Sequence, residues 1–141
     1  MSPGKDTEVP TPVFMPVGTA AAMKGVMPSE LERTGCRLML ANTYHLGCQP
    51  GADVVEEIGG GVHGFMKWPN ALLTDSGGFQ MVSLSKLMVI TEEGVSFQSP
   101  YAEEGDIFLS PERCMEIQVS WSSISLISKF NCVIGFWIST L

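Results

Sequence analysis

Three short apolar runs, separated by helix-like segments, each end on a glycine or a polar cluster, and this limits how the chain can fold. The first, Val13-Phe-Met-Pro-Val17, closes on Gly18. The second, Arg37-Leu-Met-Leu-Ala41, closes on Asn42-Thr-Tyr-His45, and the third, Ala71-Leu-Leu-Thr74, closes on Asp75. Brief apolar stretches bounded by turn residues read as buried strands. Between them, residues 28–33 read as a helix stopped by Gly35, and residues 52–58 as a helix with its acidic residues facing water. Strands alternating with helices predict an α/β architecture with parallel strands, and three strands cannot close a barrel of eight. Downstream, residues 91–99 predict a hairpin-like segment alternating on Val95 and Phe97. Ser110-Pro-Glu-Arg113 predicts a helix start with Ser110 as cap, continuing through Gln118.

The third run carries the chemistry. Asp75 is followed by Ser76, Gly77, Gly78 and Phe79. That sequence sets a carboxylate, a hydroxyl, unshielded backbone amides and an aromatic ring within one short loop at a strand end. Strand carboxyl ends are where α/β folds bind ligands. Taken without its context, Asp75 also fits an Asx-turn or a helix cap. Asn42, at the other polar strand end, has an amide able to hold a carboxylate across neighbouring strands. His45 beside Tyr44 reads as a structural histidine, with no acidic or cysteine partner nearby in sequence.

Gly59-Gly-Gly-Val-His-Gly64 has the spacing of a dinucleotide fingerprint but follows a helix-like stretch rather than a strand, so it reads as a loop. Four scattered cysteines without a CxxC pair, and two histidines, offer no legible zinc site. Free thiols and an N-terminus without an apolar core point to the cytoplasm, with mitochondrial association as the alternative. A net charge of −7 argues against a self-standing nucleic-acid binder, though not against a piece of one.

Residues 1–10 read as a disordered tail. Beyond Gln118 the composition turns serine-rich and then apolar. Lys129, Asn131 and the serines interrupt that stretch too often for a membrane span.

Four stretches occur in order: Thr11-Pro-Val-Phe-Met-Pro-Val-Gly-Thr19, Asn42-Thr-Tyr-His-Leu46, Leu73-Thr-Asp-Ser-Gly-Gly-Phe-Gln80 and Leu109-Ser-Pro-Glu-Arg113. Together they resemble the tRNA-guanine transglycosylase family, most of all its eukaryotic queuine tRNA-ribosyltransferase members. The resemblance covers residues 11–118 and implies the N-terminal part of an irregular (β/α)8 barrel, incomplete in this chain. It implies exchange of guanine at the tRNA wobble position for queuine or a related 7-deazaguanine base, through a covalent tRNA–enzyme intermediate. Asp75 matches a proton-accepting aspartate that contacts the base. Ser76, Gly77, Gly78 and Phe79 match the base-binding loop, and Asn42 a residue that orients the aspartate. The family's nucleophilic aspartate and its zinc ligands match nothing in this chain. The expectation is therefore a chain inactive alone, with a catalytically dead base-binding or partner-interaction module as the alternative. The resemblance further implies a heterodimer with a non-catalytic homologous subunit. Residues 119–141 match nothing in the family and are expected to be a splice or gene-model product.

Overall fold

The structure, a computed structural model, describes residues 8–77, 88–98, 106–121 and 126–127. Four parallel strands make the main sheet in the order β1-β2-β3-β7: β1 (Val17–Gly18), β2 (Leu38–Asn42), β3 (Ala71–Asp75) and β7 (Leu126–Ile127). Parallel neighbours need long crossovers, and helices lie within each one. Helix α1 (Pro28–Arg33) links β1 to β2, and α2 (Thr43–Cys48), α3 (Ala52–Gly59) and α4 (Val62–Met66) link β2 to β3. The third crossover contains an antiparallel sheet of β4 (Met88–Thr91), β5 (Gly94–Gln98) and β6 (Asp106–Leu109), then α5 (Pro111–Trp121).

Most of these elements arise where their local signals lie. Gly35, with φ +85°, sits just past α1, and its amide donates to Glu32 O at 3.0 Å. Ser110 caps α5 by accepting from Arg113 N at 3.1 Å. The predicted hairpin is the β4–β5 pair, with Ile90 opposite Val95 and Met88 opposite Phe97. Val95 and Phe97 are buried, as their alternation requires.

Three expectations are corrected. The run 13–17 is not a buried strand: only Val17 and Gly18 pair with β2, and Phe14 is 81 % exposed. Pro12 and Pro16 have no N–H to give a ladder, so only the Pro16 carbonyl joins, accepting from Leu40 N. The polar stretch after β2 is helical rather than a turn, because Asn42 caps α2. The glycine-rich stretch 59–64 is a loop only at its centre: Gly60 and Gly61 make the turn, while Gly59 ends α3 and residues 62–64 belong to α4. A Cβ on Gly64 would collide with the Gly59 carbonyl, and one on Gly59 with the Phe65 backbone. These glycines let α3 and α4 touch.

Met39, Ala41, Leu46, Val55, Val62, Leu72 and Ile117 form the centre of the core. Burying each of the larger ones stabilises the fold by about 1.5–3 kcal/mol. Trp68, 1 % exposed, packs against this core while its indole N–H donates to Ala71 O at 2.9 Å, fixing the entry to β3. Cys36, Cys48 and Cys114 are free thiols. Helix α5 extends past Gln118 to Trp121, and β7 follows it onto the edge of β3. Residues 1–7 and 128–141, most of the two expected tails, lie outside the described residues.

Candidate active site

The parallel register sets Asn42, the last residue of β2, opposite Asp75, the last residue of β3. In-register neighbours direct their side chains to the same face of a sheet. The two therefore meet: Asn42 Nδ2 donates to Asp75 Oδ2 at 2.8 Å. Asn42 is 1 % exposed, and its other amide atom is also committed, Oδ1 accepting from the His45 backbone N at 3.1 Å. One side chain thus caps α2 and grips the carboxylate, which fixes its amide orientation without ambiguity.

The second carboxylate oxygen is held by backbone. Asp75 Oδ1 accepts from Gly77 N at 3.0 Å and from Thr43 N at 3.3 Å. The first bond is an Asx-turn, so the turn reading and the ligand reading of Asp75 describe the same geometry. Gly77 adopts φ +73°, and a Cβ there would stand 2.5 Å from Tyr44 Cβ. Only glycine lets the loop lie this close to α2. A carboxylate offers about four acceptor sites, and three are occupied here, so one remains for a ligand donor.

Partial burial holds the Asp75 carboxyl above its ordinary range. The Gly77 and Thr43 amides, the Asn42 amide and the nearby His45 all pull the other way without cancelling that effect. For His45, burial lowers the pKa and the Asp75 charge raises it, with burial prevailing. The expectation that His45 has no acidic partner is corrected: the partner is Asp75, distant in sequence and brought close by the strand register. The His45 ring also meets Tyr44 edge-on at 5.1 Å, and Tyr44 packs on Phe97 at 4.9 Å. A recess of about 260 Å³ lies beside this cluster, lined by Thr19, Ala20, His45, Pro50 and Phe65; Asp75 is not in its wall.

Ser76 is buried, and its carbonyl accepts from Cys114 Sγ at 3.6 Å. Gly78 and Phe79 lie outside the described residues. Sequence reasoning overlooked Thr43, Cys114 and Gln118. The signal for the last two was their four-residue spacing on a capped helix, which puts both on one face. Among the described residues, no group of three or more His, Cys, Asp and Glu side chains could hold a metal ion. No described helix is long and apolar enough to cross a membrane.

A fixed carboxylate, ringed by donors, thus stands at the carboxyl ends of a parallel sheet in an α/β protein, the place where such folds bind ligands. The family described as queuine tRNA-ribosyltransferase matches residues 3–126, and this chain belongs to that family. The queuine tRNA-ribosyltransferase catalytic subunit of Schizosaccharomyces pombe is 53 % identical over 115 residues, which is 82 % of this chain and 28 % of that protein. The Caenorhabditis elegans catalytic subunit is 56 % identical over 110 residues, covering 78 % of this chain and 27 % of its own length. A queuine tRNA-ribosyltransferase of Psychrobacter cryohalolentis is 49 % identical over 124 residues, 88 % of this chain and 32 % of its own. The chain thus spans about a third or less of these relatives.

Proposed function

We propose that this chain carries the base-binding site of a tRNA-guanine transglycosylase, with Asp75 as the proton acceptor for the incoming base. The observation that carries this reading is the Asp75 carboxylate, held by Asn42, Thr43 and Gly77 with one acceptor position open. In the full reaction an aspartate attacks the ribose anomeric carbon of the wobble nucleotide and expels guanine, leaving a covalent tRNA–enzyme ester. A 7-deazaguanine base such as queuine then attacks the same carbon. Its ring N–H proton passes to Asp75 as the new glycosidic bond forms and the enzyme carboxylate leaves. An acceptor with a raised pKa suits that transfer near neutral pH. By the resemblance, base binding also falls to Ser76, Gly77, Gly78 and Phe79.

The attacking aspartate belongs to a part of the barrel that none of the four matched motifs represents. The chain alone therefore binds base without completing exchange. In the whole protein the parallel sheet continues into a (β/α)8 barrel that binds tRNA. That protein pairs with a homologous non-catalytic subunit and works in the cytoplasm or at mitochondria. Zinc belongs to the same whole protein. The described residues contain no ligand cluster for it, and no step here runs through it.

The test is calorimetric titration of the purified chain with a 7-deazaguanine base, alongside exchange of radiolabelled guanine into tRNA. Saturable binding abolished by Asp75→Asn, with no exchange, is the expected result. No binding, or binding indifferent to Asp75→Asn, would leave the site without this function. Exchange by the chain alone would overturn its dependence on a distant nucleophile.

A further inference from the structure

The two residues that flank Asp75 are both tied to one face of α5. On one side, Thr74 Oγ1 donates to Gln118 Oε1 at 3.2 Å. Gln118 Nε2 lies 3.3 Å from Cys114 Sγ and 3.5 Å from the Cys114 carbonyl. On the other side, Cys114 Sγ donates to the Ser76 carbonyl at 3.6 Å. Thr74, Gln118, Cys114 and Ser76 thus form a buried chain of contacts that begins and ends beside the carboxylate. Gln118 is 0 % exposed. A buried primary amide is costly unless its polar atoms are satisfied, and both ends of this one are.

The Ser76 carbonyl and the Gly77 N–H belong to a single peptide unit, which is planar and stiff. A contact that holds that carbonyl therefore also aims that N–H. The same N–H is a donor to Asp75 Oδ1. We infer that Gln118 and Cys114 are positioning residues of the base site: through the 76–77 peptide they keep the Gly77 amide on Asp75 and the carboxylate in its accepting geometry. Neither residue touches the reacting atoms. Their use in base recognition rests on the reading above; their effect on the carboxylate does not.

Loss of the Gly77 donor removes a bond that favours the ionised form, so the Asp75 carboxyl would hold its proton to higher pH. Among the described residues, the titratable group acting on Asp75 is His45 from α2, which pulls its pKa down. Cys114 from α5 is itself pushed up, by burial first and then by the Asp75 charge, and as a neutral thiol brings no charge to the carboxylate.

Two readouts separate positioning from general stability: the Asp75 side-chain carbon resonance followed against pH, which needs no ligand, and the dissociation constant for a 7-deazaguanine base. Gln118→Met keeps volume and removes both polar links, and Cys114→Ala removes the thiol. Each is expected to move the Asp75 midpoint to higher pH and to weaken base binding about tenfold, the size of a lost buried hydrogen bond. Cys114→Ser keeps a donor for the Ser76 carbonyl and should restore both readouts. Val55→Ala, a buried α3 substitution that removes no hydrogen bond of this chain of contacts, should lower stability and leave the midpoint in place. An unchanged midpoint in Gln118→Met and Cys114→Ala, or an equal shift in Val55→Ala, would overturn the inference. Should Gln118→Met fail to fold, the Cys114→Ala and Cys114→Ser pair decides. If the wild-type chain binds no base while the midpoints still move, the base-site reading falls and the positioning role stands.

Discussion

Asn42 and Asp75 are register partners on adjacent parallel strands, and a single 2.8 Å bond from the Asn42 amide to the Asp75 carboxylate joins the ends of β2 and β3. Because the same amide also caps α2, the position of the carboxylate and the start of the helix depend on each other. Asn42→Asp separates the two roles. Aspartate is as good a cap as asparagine, so α2 should persist. Two carboxylates would then face each other, and like charges at that distance cannot both ionise cheaply. Melting near the wild-type value in acid, a clear loss at neutral pH and abolished base binding are expected. A variant as stable as wild type at neutral pH would refute the shared role. Asn42→Ala should instead cost about 1 kcal/mol or more at every pH, since the cap is lost as well.

The raised Asp75 pKa fixes the sign of a pH effect. A carboxyl that holds its proton more tightly folded than unfolded contributes stability fully below its ordinary value of 3.8. That contribution is lost as pH rises through the folded-state value. Urea melts of wild type and Asp75→Asn across the acid range should therefore show the wild type's relative stability falling as pH rises. Superimposed is a constant deficit in the variant, whose new amide sets a donor against the donors of Asn42 or Gly77 and Thr43. A relative stability that rises with pH would reverse the assignment. Base binding should run the other way, strengthening as Asp75 ionises.

Gly77 and Gly25 offer a matched pair. Both have positive φ, +73° and +78°, but a Cβ on Gly25 meets nothing within 4 Å, whereas one on Gly77 runs into Tyr44. Gly25→Ala should cost about 1–2 kcal/mol, the left-handed penalty alone. Gly77→Ala should cost about 1–3 kcal/mol more, from overpacking against α2, and should weaken base binding because the Gly77 amide moves off Asp75. Chemical denaturation measures both. Equal costs would mean that the approach of the loop to α2 is not a constraint.

Much of this arrangement could be read locally. The β2 and β3 runs, α3, the β4–β5 alternation and the Ser110 cap each carry their signal within a few residues. Asp75 and Asn42 stood out because a polar residue at the end of an apolar run is unusual in itself. What stayed hidden depends on contacts between distant segments. Pro16 interrupts the ladder donors of the run 13–17, and a strand-like composition yields a two-residue strand that starts just after it. Asn42 starts a helix only because its side chain reaches the His45 amide. The nearness of His45 to Asp75, and of Gln118 to Thr74, follows from register and helix packing, which no window of neighbouring residues encodes.

The glycine run 59–64 gives the plainest case of spacing with a different cause. Its glycines match a dinucleotide fingerprint in order, yet Gly59 and Gly64 face each other where α3 meets α4, and Gly64 leaves no room for a methyl group. Gly64 lies inside α4, where alanine is otherwise the better helix former by about 1 kcal/mol. A purely local view therefore makes Gly64→Ala stabilising. Contact with the Gly59 carbonyl argues the opposite, because backbone cannot move aside as a side-chain tip can. Overpacking of this kind costs about 1–3 kcal/mol, enough to outweigh the gain in propensity. A lowered melting temperature is expected, with base binding unchanged in the folded fraction. A raised melting temperature would mean that α3 and α4 separate at little cost, and that the glycines have some other role.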